Sequence, residues 1–97
     1  MTKASLIYTS EAREDIYDAY VYYEKVQPGL GDRFLATLDA CFEAIIQSPK
    51  TYRFFFVNIR GFVVPTFPYL ILYRATSVEV QVISVFHTSR DPKHWEF

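Results

Sequence analysis

The hydrophobic positions along this chain change their period once, near residue 50. Before that point apolar residues recur at helical spacing. After it they alternate, or run together, as in strands. The opening stretch from Ala4 to Tyr8 sets Leu6 and Tyr8 against Ser5 and Ile7 and reads as a short strand. Thr9 and Ser10 then offer an N-cap. Glu11, Glu14 and Asp15 follow in the first turns, where carboxylates suit the positive end of a helix dipole. Ala12, Ile16, Ala19, Tyr20 and Tyr23 make one face of a helix predicted from about Glu11 to Lys25, with Asp15 and Asp18 directed elsewhere. Gln27-Pro28-Gly29 is the break. A second helix is predicted from Leu30 to Ser48, apolar at Phe34, Leu35, Leu38, Cys41, Phe42, Ile45 and Ile46 and stopped by Pro49. Two long helices joined by so short a turn must lie antiparallel.

Four β-rich runs follow: Arg53–Asn58, Gly61–Val64, Pro68–Arg74 and Val78–Phe86. Gly61 and Ala75-Thr76-Ser77 read as turns, and Pro65 and Pro68 interrupt the pattern between two strands. In the last run Val78, Val80 and Val82 alternate with Glu79 and Gln81. Ile83 and Val85 then make the far end apolar on both faces, which predicts a central strand covered by helices. The order β-α-α-β-β-β-β, with helices early and strands late, is α+β. The expected architecture is a helical hairpin on one face of a mainly antiparallel twisted sheet, whose other face stays partly open for a partner. With no linker, repeat or low-complexity tract, residues 1–97 read as one domain.

Composition narrows the class. Apolar residues make up 51% of the chain and aromatic ones 19%, which excludes disorder and lets large rings fill a small core. The single cysteine, Cys41, can form neither an intrachain disulfide nor a metal cluster, and its place in a helical stripe is that of a small hydrophobe. The first residues lack a signal-peptide pattern, and no apolar run nears the roughly 18 residues that span a bilayer. The expectation is a cytoplasmic chain with no membrane contact. The net charge of −1 does not advertise nucleic acid, but its distribution is uneven. Residues 1–49 carry eight acids and four bases; residues 50–97 carry six bases and three acids. An anionic partner should meet the second half.

The second half also carries a resemblance. Phe67-Pro68-Tyr69-Leu70-Ile71-Leu72-Tyr73-Arg74 is followed by Val82-Ile83-Ser84-Val85-Phe86-His87-Thr88-Ser89-Arg90-Asp91-Pro92. This resembles the ending shared by many members of the RelE/ParE toxin superfamily: a PY-x-I-x-Y-R strand, a turn, then a V-x-x-V-x-H-x-x-R-D-P strand and tail. The charged, Tyr-rich first helix ending at Tyr22-Tyr23 and the Ser48-Pro49 close of the second helix match as well. The resemblance implies the toxin half of a type II toxin–antitoxin module, of the plasmid-stabilisation kind, inhibited by a cognate antitoxin that wraps the toxin's groove and sheet. ParE-like members poison DNA gyrase; RelE-like members cut messenger RNA on the ribosome. A degenerate member that only binds its antitoxin is a third possibility, and a homodimer or a heterotetramer with antitoxin stays open. No metal-ligand spacing is present, and nothing calls for a cofactor.

RNA cleavage needs a base for the 2′-OH, an acid for the leaving oxygen and cations for the phosphorane. In RelE-like ribonucleases the resemblance would place an Arg directly after the position of Tyr69 and lysines along the preceding strand. Here Leu70 follows Tyr69, and Gly61-Phe62-Val63-Val64 holds no Lys or Arg. Arg60 precedes that strand and Arg74 ends the next. The expected cluster is largely missing, so the resemblance is nearer ParE than RelE. His87 and Arg90 are the catalytic candidates that remain, as a near-neutral acid–base group and a phosphate clamp. The plain alternatives are a histidine bonded to backbone at a strand end and a local Arg90-Asp91 pair. Target- or antitoxin-binding candidates are Arg53, Arg60, Tyr69, Tyr73, Arg74, His94 and Trp95. Against these stand a solubilising rim beside Phe54-Phe55-Phe56, a core tyrosine with a wet tip at Tyr73, and a tail packed on the sheet edge.

Overall fold

The computed structural model describes residues 4–89. Its elements are β1 (Ser5–Tyr8), α1 (Ser10–Val26), α2 (Leu30–Gln47), β2 (Phe54–Phe56), β3 (Ile59–Val63), β4 (Tyr69–Ala75) and β5 (Glu79–His87). They form the predicted α+β arrangement, with one five-stranded sheet in the order β1-β5-β4-β3-β2. The four late strands meander antiparallel, while β1 joins the far side of β5 in parallel. β5 is therefore flanked on both sides only over Glu79–Val82; its apolar far end, expected at the sheet's centre, has β4 on one side and no strand on the other.

Thr9 shows how the first helix is set on the sheet. Its Oγ1 accepts from the Ala12 amide at 3.0 Å, capping α1. The same hydroxyl donates to the Ile83 carbonyl of β5 at 2.9 Å, and the Thr9 amide donates to the Val82 carbonyl. β1 stops at this point. Further along β5, the amide of Val85 and the hydroxyl of Ser84 donate to the Asp15 carboxylate, at 3.0 and 2.9 Å. The sequence pattern turns Asp15 away from the apolar stripe. In the fold it instead reaches the strand edge that β1 leaves unpaired. A bulge makes this geometry: Leu72 faces Ser84 while Tyr73 faces Val82, so Ile83 is an extra residue in β5.

The second helix is started by the first. Gly29 adopts a left-handed φ of 90° as the N-cap of α2 and has no side chain to cap with. Glu24 supplies the acceptor. Its Oε1 accepts from the amides of Gly31, Gly29 and Asp32, and Oε2 adds a second contact to Gly29. Gly31 is buried where the helices cross, and a Cβ there would lie 2.8 Å from the Tyr20 carbonyl oxygen.

Each face of the sheet carries a buried cluster. On the helical side Ile71, Tyr73, Val80, Val82 and Val85 pack with Phe34, Leu38 and Ile45. On the other, Leu70, Leu72, Ile83 and Ile59 form a second cluster against Phe55 and Phe56. That face is closed at its centre, where Phe86 is buried as well, but stays partly open at its sides, as expected: by register Ile7 and Val63 lie on it, 40% and 68% exposed. A register shift in the β2–β3 pair between Phe54 and Phe56 accompanies this closure, with both Phe55 and Phe56 on the second cluster. The turn expected at Gly61 is corrected. Gly61 lies inside β3, where a Cβ would run into the Phe55 ring, and the turn sits three to four residues earlier, at Val57 and Asn58. Asn58 takes the positive φ of 63° that its short side chain tolerates.

Two outcomes are expected. Asp15→Ala leaves the Val85 amide and Ser84 hydroxyl short of an acceptor and should cost about 1–3 kcal/mol in urea unfolding. Alkaline stability should follow Tyr73, which is fully buried and donates to the Pro49 carbonyl at 2.7 Å. Burial pushes its phenol from 10.0 up to about 12, against an opposing pull from Arg60. The folded chain holds this proton longer than the unfolded chain does. The contribution is thus complete below pH 10 and lost as pH rises to about 12. Burial raises Tyr8 and Tyr23 in the same sense. Stability measured from pH 8 upward should fall beyond pH 10, less steeply in Tyr73→Phe.

Candidate functional site

Register fixes which candidates meet. Tyr69 opens β4 and pairs with His87 at the end of β5, whereas Tyr73 pairs with Arg60 of β3. Four residues of strand, roughly 13 Å, separate the two positions. The structure thus brings Tyr69 and His87 together and keeps Arg60 apart from them.

Around Tyr69 lies an aromatic cluster. Its ring, only 4% exposed, meets Phe34 at 5.1 Å, Tyr23 at 6.3 Å and His87 edge-on at 5.1 Å. The Tyr23 hydroxyl meets that of Tyr69, and its pKa is raised, first by burial, against the lowering effect of this hydrogen bond. Phe67 closes the cluster against Tyr23 and Phe34. Its loop includes Thr66 at a φ of 65°, an uncommon conformation for a β-branched residue. The Thr88 amide ties the end of β5 to that loop through the Pro68 carbonyl at 2.8 Å.

Beside the cluster, between α1 and the ends of β4 and β5, is a cleft of about 390 Å³ lined by Asp18, Ala19, Tyr22, Tyr69, His87 and Ser89. Half-buried His87 accepts at Nδ1 from the Ser89 amide at 3.1 Å, which leaves the proton of the neutral ring on Nε2. The pattern of residues alone missed Asp18, Ala19, Tyr22 and Ser89. A signal was available: Asp18 and Tyr22 stand four apart on one helix face with small Ala19 between them.

The arginines gather elsewhere. The Arg60 guanidinium lies 4.0 Å from the Phe54 ring centre and donates to the Tyr52 carbonyl at 2.7 Å. That of Arg53 lies 4.6 Å from the Phe55 ring centre. An open groove of about 540 Å³ runs along Phe54, Phe55, Phe56, Val57 and Asn58 at the sheet edge. Phe54 is 55% exposed there and Val57 87%. Arg74 is exposed and donates to Gln81 at 3.2 Å. Tyr73 belongs wholly to the core and presents no surface to a partner. Arg90, His94 and Trp95 lie outside the described residues.

Among the described residues, no three His, Cys, Asp or Glu side chains converge as a metal site, and no helix is long and apolar enough to cross a membrane. Buried Cys41 has its thiol pKa raised by burial, the opposite of what an activated nucleophile needs.

Comparison with known proteins agrees with the superfamily resemblance and narrows it. Residues 6–92 match the family described as ParE toxin of type II toxin–antitoxin system, parDE. Toxin ParE2 of Mycobacterium tuberculosis is 28% identical over 80 residues, covering 81% of this chain and 76% of that protein. The chromosomal ParDE TA system from P. aeruginosa includes a chain that superposes with a TM-score of 0.79 at 15% identity, covering 90% of this chain and 98% of that one, a likeness of fold. Matched across most of its length, the chain belongs to the ParE toxin family of type II toxin–antitoxin systems.

Proposed function

We propose that this protein inhibits growth by binding a target rather than by cutting one, with DNA gyrase as the target and a cognate antitoxin as its inhibitor. One observation carries the choice of mechanism. The cleft that holds His87 and Tyr69 is lined by a carboxylate, Asp18, with no Arg or Lys among its described lining residues. Phosphodiester cleavage builds negative charge on the phosphorane and needs cations close by. A carboxylate does the reverse. Arg60, a candidate cation among the described residues, is set against a Phe ring and a backbone carbonyl, opposite Tyr73 and away from the cleft. His87 has one ring nitrogen committed to Ser89, and Tyr69 has its hydroxyl against Tyr23.

The surface suits binding. Exposed Phe54 and Val57 beside Arg53 and Arg60 combine apolar area with the residue types that dominate protein–protein hot spots. The cationic rim complements an acidic segment of a partner. The family assignment supports an antitoxin as one such partner.

Induced expression tests the reading. Filamentous cells with a DNA-damage response, and no A-site cuts in messenger RNA, are expected. Growth should resume when the small neighbouring antitoxin gene is co-expressed. His87→Ala should show the same absence of A-site cuts as the parent; A-site cuts present in the parent that disappear in this variant would replace binding with ribonuclease action. In a pull-down with antitoxin or gyrase, Phe54→Ala should weaken at least one complex about tenfold or more, as a hot-spot aromatic does.

A further inference from the structure

The same cleft points to what it binds. Asp18 is exposed on α1 and has no ion-pair or hydrogen-bond partner among the described residues. Around it stand three aromatic rings, those of Tyr22, Tyr69 and His87. A carboxylate one helical turn from an exposed Tyr22 ring is chemistry that holds an organic cation, by ion pairing with the acid and by the quadrupole of the ring. At about 390 Å³ the cleft has the dimensions of a small-ligand pocket and exceeds what a lone water needs. Ala19 keeps its floor low. Glu11 and Glu14 lie on the same helix, and the first half of the chain is acidic overall, so the surrounding field also favours positive charge.

Resting on the binding reading above, we propose that this cleft receives one cationic side chain, the guanidinium or ammonium of an Arg or Lys presented by a protein partner. An anionic group is repelled by Asp18. A purely apolar group would strip water from that carboxylate and return no hydrogen bond. The protein then has two recognition surfaces of opposite sign, an acidic aromatic cleft and a cationic aromatic edge, and a partner must carry both complements.

The test uses the full chain, labelled with ¹⁵N, titrated with N-acetyl-arginine amide, N-acetyl-lysine amide and, as the neutral control, N-acetyl-glutamine amide. Saturable shifts at Ala19, Tyr22, His87 and Ser89 are expected with the cations and not with the control. The tighter of the two cations identifies the head group. Asp18→Asn and Tyr22→Leu, each checked for an unchanged melting temperature, should weaken binding roughly three- to tenfold. Equal shifts from glutamine amide, a response confined to other residues, or unchanged affinity in Asp18→Asn would overturn the proposal. A chain that inhibits growth yet ignores both cations loses the cation site alone. One that binds them in the cleft without inhibiting growth loses the toxin reading alone.

Discussion

Beyond Val82, the outer edge of β5 has no strand beside it, and α1 takes over the strand's role. Thr9 bonds the Ile83 carbonyl and Asp15 takes the Val85 amide and the Ser84 hydroxyl. A strand cannot leave such groups unpaired in a buried setting. The requirement therefore fixes where α1 crosses the sheet and how far along β5 it runs. The cleft follows from that crossing, which brings Asp18, Ala19 and Tyr22, one turn and more beyond Asp15, beside the ends of β4 and β5. The cleft results from a helix satisfying a strand edge.

The chain separates its charges in space as well as in sequence. The acidic first half contributes the helical wall of the cleft, and the basic second half contributes Arg53 and Arg60 at the opposite sheet edge. Both arginines rest on Phe rings, and neither pairs with an acid among the described residues. Their charge is left available at low ordering cost, because the rings already hold the side chains in place. A partner that spans the two surfaces is oriented by them before it makes close contact.

Periodicity suffices to find the two helices and the late meander, because burial on one face leaves a direct trace in the order of apolar residues. The trace ends where a side chain does something other than bury a hydrophobe. Asp15 looks like any polar residue off a stripe, and only the early end of β1 makes it structural. Gly61 looks like a turn because glycine usually permits one; here its missing Cβ admits a ring from the neighbouring strand. The meeting of Tyr69 and His87 depends on register, which one-residue slips such as the bulge at Ile83 reset without any mark in composition. Asp18 and Tyr22 have the right helical spacing, but their importance appears only when the strand ends are placed opposite them.

Glu24 carries a consequence for how the helical hairpin of this chain can vary. Its carboxylate reaches across the break and holds the amides of Gly29, Gly31 and Asp32. The interval between the acid and those amides is thereby a measured span. Residues Val26, Gln27 and Pro28 can exchange side chains freely, but adding or removing one would carry the amides out of the carboxylate's reach. The hairpin turn is thus tolerant of substitution and intolerant of changes in length.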